Sequence, residues 1–221
     1  MNREAVLIEP HELLEKLGQS NLRVFDASLT DEAYRQGHIP GAAYFDHQLF
    51  SELDSPYESA ILPPGPLGRR LGESGIASDT EVVVYACGML PYAARAWWVL
   101  RYAGHDNVRV LNGGLAAWQA AGGPIEQAVR TYAPATFAGR ARPDLFVSKE
   151  EVQAALADPE LAVIDVLPLA SYEAAHITGS TCLSCFDLMV GMDAFRSNEE
   201  IAARLSDTGR YRRLITYCGG G

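Results

Sequence analysis

The sequence predicts an α/β protein of two repeated domains, each a mostly parallel sheet flanked by helices, and three observations carry that expectation. One is an internal repeat. A buried-strand pattern ending in Asp, Leu22-Arg-Val-Phe-Asp26, leads through a short polar helix to His38-Ile-Pro-Gly-Ala42. Leu161-Ala-Val-Ile-Asp165 leads in the same way to His176-Ile-Thr-Gly-Ser180. Asp165 follows Asp26 by 139 residues and His176 follows His38 by 138. Further on, Glu81-Val-Val-Val-Tyr85 matches Leu214-Ile-Thr-Tyr217, with 132 residues between the tyrosines. The second observation is the alternation of apolar strands with amphipathic helices, which predicts parallel strands covered on both faces. The third is a set of helix starts. Ser148-Lys-Glu-Glu151 and Ser197-Asn-Glu-Glu200 both read as capping boxes, in which the serine oxygen and the glutamate carboxylate satisfy backbone donors at the helix end.

The remaining elements follow in order. The apolar run from Val82 to Leu100 is broken by Pro91 and Arg95 and reads as a buried strand followed by a helix, with Pro91 in the first turn and Gly104 as the stop. Val108–Leu111 is then a strand, Asn112-Gly-Gly114 a turn, and the stretch from about Leu115 to Ala121 a helix. The first domain is expected over residues 1–124, a linker over 125–143, where Pro134 and Gly139 accompany no clear periodicity, and the second domain over 144–221. By the repeat, the second copy lacks a helix, a strand and a closing helix, so the expectation is a second domain truncated at the C-terminus.

Composition narrows the function. A net charge of −10 opposes nucleic-acid binding, which needs a basic footprint. The interrupted Val82–Leu100 run predicts no membrane insertion. Met1–Pro10 mixes Arg3, Glu4 and Glu9 where a leader would be apolar, and the four cysteines suit reduced thiols, so a cytoplasmic protein is expected.

The sharpest chemical signal is Cys218 at the end of a buried strand, followed by Gly219, Gly220 and Gly221. Glycines allow φ > 0, so successive backbone N–H groups can curl into a nest that holds a negatively charged sulfur. Strand C-termini of parallel sheets are also where ligands bind. On residue types alone, a packed cysteine with a glycine tail is the competing reading.

At these residues the sequence resembles the tandem-domain rhodaneses, the thiosulfate and 3-mercaptopyruvate sulfurtransferases. The resemblance rests on Asp26 with Gly37-His-Ile-Pro-Gly-Ala42, on Ala93-Ala-Arg-Ala-Trp-Trp98, on Leu111-Asn-Gly-Gly114 with Trp118, and on Tyr217-Cys-Gly-Gly-Gly221. It implies a silent first domain and a catalytic second one with Cys218 as nucleophile and Gly219, Gly220 and Gly221 in the substrate-binding loop. It further implies transfer through a persulfide from a small anionic sulfur donor to a thiol or cyanide, with no metal or organic cofactor. The family places Arg residues after the second strand Asp, whereas Val166 to Tyr172 contains none. Arg210, Arg212 and Arg213 are the nearby cations in sequence, and such a cluster usually forms a solvated rim.

Other candidates carry less. Cys87 stands one position beyond the equivalent of Cys218, because Ala86 separates it from Tyr85. A phosphatase needs Cys-x5-Arg; Cys87 has Ala93 at that place, and for Cys218 the pattern runs past residue 221, which leaves a phosphatase as a minor alternative beside a non-catalytic scaffold. Cys182-Leu-Ser-Cys185 has half-zinc-site spacing but matches the loop Ala43-Tyr-Phe-Asp46 of the first copy and reads as ordinary packing. His38 and His176 are expected to tie loop backbone, Asp26 and Asp165 to anchor turns, and Trp97, Trp98 and Trp118 to lie in the core.

Overall fold

The computed structural model describes residues 3–57 and 59–219 and divides into two compact units, the first running to Arg142 and joined by Met192–Ala194, the second holding the rest. In the first unit the elements are β1 (Leu7–Ile8), α1 (Pro10–Lys16), β2 (Leu22–Asp26), α2 (Asp31–Gln36), β3 (Ala43–Tyr44), α3 (Pro64–Glu73), β4 (Glu81–Tyr85), α4 (Leu90–Tyr102), β5 (Val108–Leu111) and α5 (Gly114–Ala120). Among the described residues its five strands are all parallel, in the order β1-β5-β4-β2-β3. The middle strand β4, with three consecutive valines, is buried along its whole length, as a strand covered on both faces must be. Ile8, Leu13, Val24, Val83, Leu115 and Trp118 belong to one core cluster on this sheet.

The second unit contains α6 (Lys149–Ala155), β6 (Leu161–Asp165), α7 (Leu169–Ala174), β7 (Thr181–Cys182), β8 (Met189–Val190), β9 (Ala194–Phe195), α8 (Asn198–Arg204) and β10 (Arg213–Tyr217), with Ala194 of β9 clustering with the first unit. Among the described residues its main sheet is three parallel strands in the order β10-β6-β7. The core is correspondingly thin: Ala155, Val163 and Ile215 are buried, with Val152, Leu156 and Tyr217 packed against them. The β8–β9 pair has no warning in the sequence, because two-residue strands are too short to show alternation.

Local signals translate directly into structure. Both capping boxes form, at α6 and at α8. Pro91 lies in the first turn of α4, and Gly104, at φ +92°, follows that helix in the left-handed conformation suited to a helix stop. Residues 125–142 run as an extended strap on the first unit. His38 and Glu126 exchange both backbone hydrogen bonds, the Tyr132 hydroxyl accepts from Val24 N (2.9 Å) and donates to Gly41 O (2.8 Å), and Ala135 N donates to Gly72 O (2.8 Å). A chain whose partners are loop and strand-end groups has no periodicity to display, which is why its sequence reads as irregular.

The tryptophans depart from expectation. Only Trp118 is fully buried; Trp97 and Trp98 are half-buried. On α4 the inward stripe is Ala93, Ala96, Val99 and Leu100, and the two tryptophans sit beside it. Trp97 donates its indole N–H to Val108 O, and Trp98 stacks on Tyr102.

Candidate active site at the C-terminal end of β10

The turn that follows each Asp-ended strand is built identically in the two units. Asp26 Oδ1 accepts from Ser28 N, and Asp165 Oδ1 accepts from Leu167 N, each at 2.9 Å. A tyrosine stacks on the histidine four residues later, Tyr34 on His38 with centroids 3.9 Å apart and Tyr172 on His176 at 4.0 Å. The histidine Nδ1 meets the same tyrosine's carbonyl at 2.7 and 2.8 Å. Each tyrosine hydroxyl then donates across the loop, Tyr34 to Ala42 O and Tyr172 to Ser180 O. Finally the strand-end tyrosine closes the motif: Tyr85 Oη accepts from Ile39 N (3.2 Å), and Tyr217 Oη accepts from Ile177 N (3.0 Å). The histidines and aspartates are scaffold, and they hold the loop beside the strand end in place.

Strand register fixes the equivalences. Tyr85 pairs with Asp26 and Tyr217 with Asp165, so Ala86 is the counterpart of Cys218, and Cys87 that of Gly219. Cys218 therefore sits half-buried just past the C-terminal end of a parallel strand, where the first unit offers only a methyl group. Gly219 is exposed and its φ lies outside the left-handed region, so the positive φ expected of the glycine run is not used there. A Cβ added at Gly219 would meet nothing within 4 Å among the described residues outside its chain neighbours. Gly220 and Gly221 lie outside the described residues.

Three further thiols are each held up in proton affinity. Burial pushes the Cys87 thiol up, and the Asp26 and Asp193 carboxylates push it further. A thiol held protonated is a poor nucleophile. Cys182, on β7, is likewise raised, by burial and then by Asp165, Asp187 and Glu173. Cys185 is raised by burial first and by Cys218 next. The four cysteines form no disulfides. Among the described residues no group of three or more His, Cys, Asp or Glu could hold a metal ion, and no helix is long and apolar enough to cross a membrane.

Register also corrects the placement of Cys182-Leu-Ser-Cys185. Tyr44 and Cys182 are the residues paired with the two strand aspartates, so Cys185 corresponds to His47 and not to Asp46. Gaps in the repeat conceal this one-residue shift, and only strand pairing reveals it. His47 Nε2 lies 2.7 Å from Ala27 O, while Cys185 N donates at 2.9 Å to Val166 O, the equivalent carbonyl.

The cations close in sequence to Cys218 are not close to it in the fold. Arg213 begins β10 and Cys218 follows its end, a separation of roughly 16 Å at about 3.3 Å per strand residue. Arg212 binds Glu160 and Asp158, Arg213 donates to Asp144 O, and Arg210 lies over Tyr211. The segment after Asp165 enters α7 through Pro168 with no basic residue. A cleft of about 320 Å³ between the Gln48–Ser51 turn and α3 contains no thiol and lies in the other unit.

Comparison with known proteins identifies the family. The family model described as the rhodanese-like domain matches residues 9–121 and again 148–221. A probable 3-mercaptopyruvate sulfurtransferase of Pseudomonas aeruginosa is 32% identical over 98% of this chain and 85% of the relative. A thiosulfate sulfurtransferase of Mus musculus is 32% identical over 87% of this chain and 71% of its own length. The crystal structure of SseA from Escherichia coli, described for the rhodanese fold of 3-mercaptopyruvate sulfotransferases, superposes with a TM-score of 0.86 at 27% identity, covering 97% of this chain and 88% of SseA. With two family-model matches that span most of its length and a fold that repeats the same strand-end turn twice, this chain belongs to the rhodanese family and is a sulfurtransferase.

Proposed function

We propose that Cys218 is the sulfur-carrying nucleophile and that 3-mercaptopyruvate or thiosulfate is the donor. The observation that carries this reading is the register: Cys218 stands at the ligand-binding edge of a parallel sheet, directly after the tyrosine that locks the loop, while the counterpart in the first unit is Ala86. The Cys218 thiolate attacks the donor's outer sulfur and a new S–S bond forms. The bond joining that sulfur to the rest of the donor breaks, its electron pair leaving on sulfite or on the pyruvate carbon, which takes up a proton. A thiol or cyanide acceptor then attacks the outer sulfur and returns Cys218 to the thiolate, so two modest barriers replace one difficult transfer.

The backbone N–H groups of Gly219, Gly220 and Gly221 are the proposed anion holders. With no Arg after Asp165, and with Arg212 and Arg213 engaged at the far end of β10, a glycine loop without basic residues favours 3-mercaptopyruvate over thiosulfate. Four cysteines in 221 residues, too few for a disulfide scaffold, accord with a reducing, cytoplasmic setting. Peptide mass mapping after incubation with each donor tests the assignment. The Cys218 peptide should gain one sulfur atom, more completely with 3-mercaptopyruvate, and a folded protein that takes up no sulfur there overturns the assignment of Cys218.

A further inference from the structure

We propose that Ser180 is a positioning residue for sulfur transfer: its hydroxyl holds the Tyr217 phenol and thereby fixes the strand end on which Cys218 stands. This inference rests on the assignment of Cys218 as the sulfur carrier.

To the bonds that the two strand-end turns share, the second unit adds one. Ala42 N donates to Ile39 O and Ser180 N to Ile177 O, each at 2.9 Å, and the carbonyls of Ala42 and Ser180 accept from Tyr34 and Tyr172. Ser180 is therefore the counterpart of Ala42, and both are buried, at 7% and 0% exposure. Of the two, only Ser180 has a hydroxyl. Its Oγ lies 2.9 Å from Tyr217 Oη, which also accepts from Ile177 N at 3.0 Å. The Tyr217 carbonyl in turn accepts from Val166 N at 3.0 Å. Cys218 thus follows, one peptide bond on, a tyrosine held at both its carbonyl and its hydroxyl.

The surroundings explain why the added bond matters in this unit. Tyr85 ends a strand with partners on both sides, and its loop is fastened from outside by the strap, where His38 and Glu126 exchange backbone bonds and His38 is fully buried. Tyr217 ends a strand paired with β6 alone among the described residues, and His176 is exposed. Ser180 itself is buried, so its hydroxyl has little water to turn to when the bond to Tyr217 breaks. The bond therefore restrains rocking of the ring, a motion that would carry Cys218 with it. Attack on a donor sulfur needs the reacting atoms aligned and about 3–3.5 Å apart, and a displacement of about 1 Å can cost about a hundredfold in rate.

The test measures sulfur loading of Cys218 in single turnovers over a range of 3-mercaptopyruvate concentrations, with thiosulfate in parallel. It compares the full chain with Ser180→Ala, Tyr217→Phe and the double variant. Ser180→Ala should lower the maximal loading rate about tenfold while half-saturation moves less than about twofold, because the attacking sulfur is displaced and the donor's binding groups are not. The double variant should be no slower than Tyr217→Phe alone, since both substitutions remove the same bond. Ser148→Ala removes a helix cap in the same unit without touching the turn, and it should load at the wild-type rate. Wild-type loading by Ser180→Ala, multiplied losses in the double variant, or an equal loss in Ser148→Ala overturns the positioning role and leaves the nucleophile assignment standing. No sulfur on Cys218 of the wild type from either donor overturns both. Should Ser180→Ala fail to fold, a folded Tyr217→Phe that loads at the wild-type rate overturns the role by itself.

Discussion

The strands β4 and β10 occupy the same place in the two repeats and end in the same tyrosine, yet they live in different surroundings. β4 lies between β2 and β5, and all five of its residues are buried. β10 pairs with β6 alone among the described residues, and only Ile215 is buried. Val82 is 0% exposed, while its counterpart Leu214 is 41% exposed. Glu81, at the start of β4, is enclosed by Lys16 and Arg109; its counterpart Arg213 reaches out to Asp144 O. At the other end the bonding is alike, since Tyr85 and Tyr217 accept from equivalent isoleucines, Ile39 N and Ile177 N. The turn that positions the site is a local construction that survives a change of neighbours, whereas strand burial is conferred by the neighbours themselves.

The largest effect should separate the two strand-end loops by chemistry. Cys218→Ser should lower sulfur transfer by at least about 10³-fold, as loss of a covalent nucleophile does, while Cys87→Ser should change it less than about twofold. Steady-state assays of the two variants with 3-mercaptopyruvate check this, and equal losses would erase the contrast between the units.

Next comes the charge at the strand start. Burial works against the Glu81 carboxylate, but the hydrogen bonds and charges of Lys16 and Arg109 outweigh it and hold the group below the ordinary glutamate range. A depressed carboxylate contributes stability above its unfolded value and loses it as pH falls through the folded one. Glu81→Gln should therefore cost about 2 kcal/mol at neutral pH and little under strongly acidic conditions, with Arg213→Gln near zero throughout. Urea unfolding across a pH series measures both.

Removing the shared hydroxyl sharpens the comparison further. Tyr85→Phe strands a buried N–H and should cost about 1–3 kcal/mol, and Tyr217→Phe, with a half-buried ring, should cost less. Smallest are the caps: Ser148→Ala and Ser197→Ala should each cost about 1 kcal/mol, nearly alike because both serines carry the same exposed box. Thermal unfolding of these four variants gives the ranking.

Much of this architecture was legible in the order of residues. The Asp-ended strands, the histidine turns, both capping boxes, the Pro91 helix start and the Gly104 stop are interactions that span a handful of positions, so residue type and spacing suffice to specify them. Cys218 was legible for the same reason, as a thiol at a strand end before glycines. Only the tertiary structure decided the rest. It assigned Cys185 to the position of His47, removed Arg212 and Arg213 to the opposite end of β10, left Trp97 and Trp98 beside the buried stripe, and folded residues 125–142 onto the first unit. Those outcomes depend on which strand lies beside which, in what register and direction, and pairing between segments far apart in the chain leaves no local pattern to read.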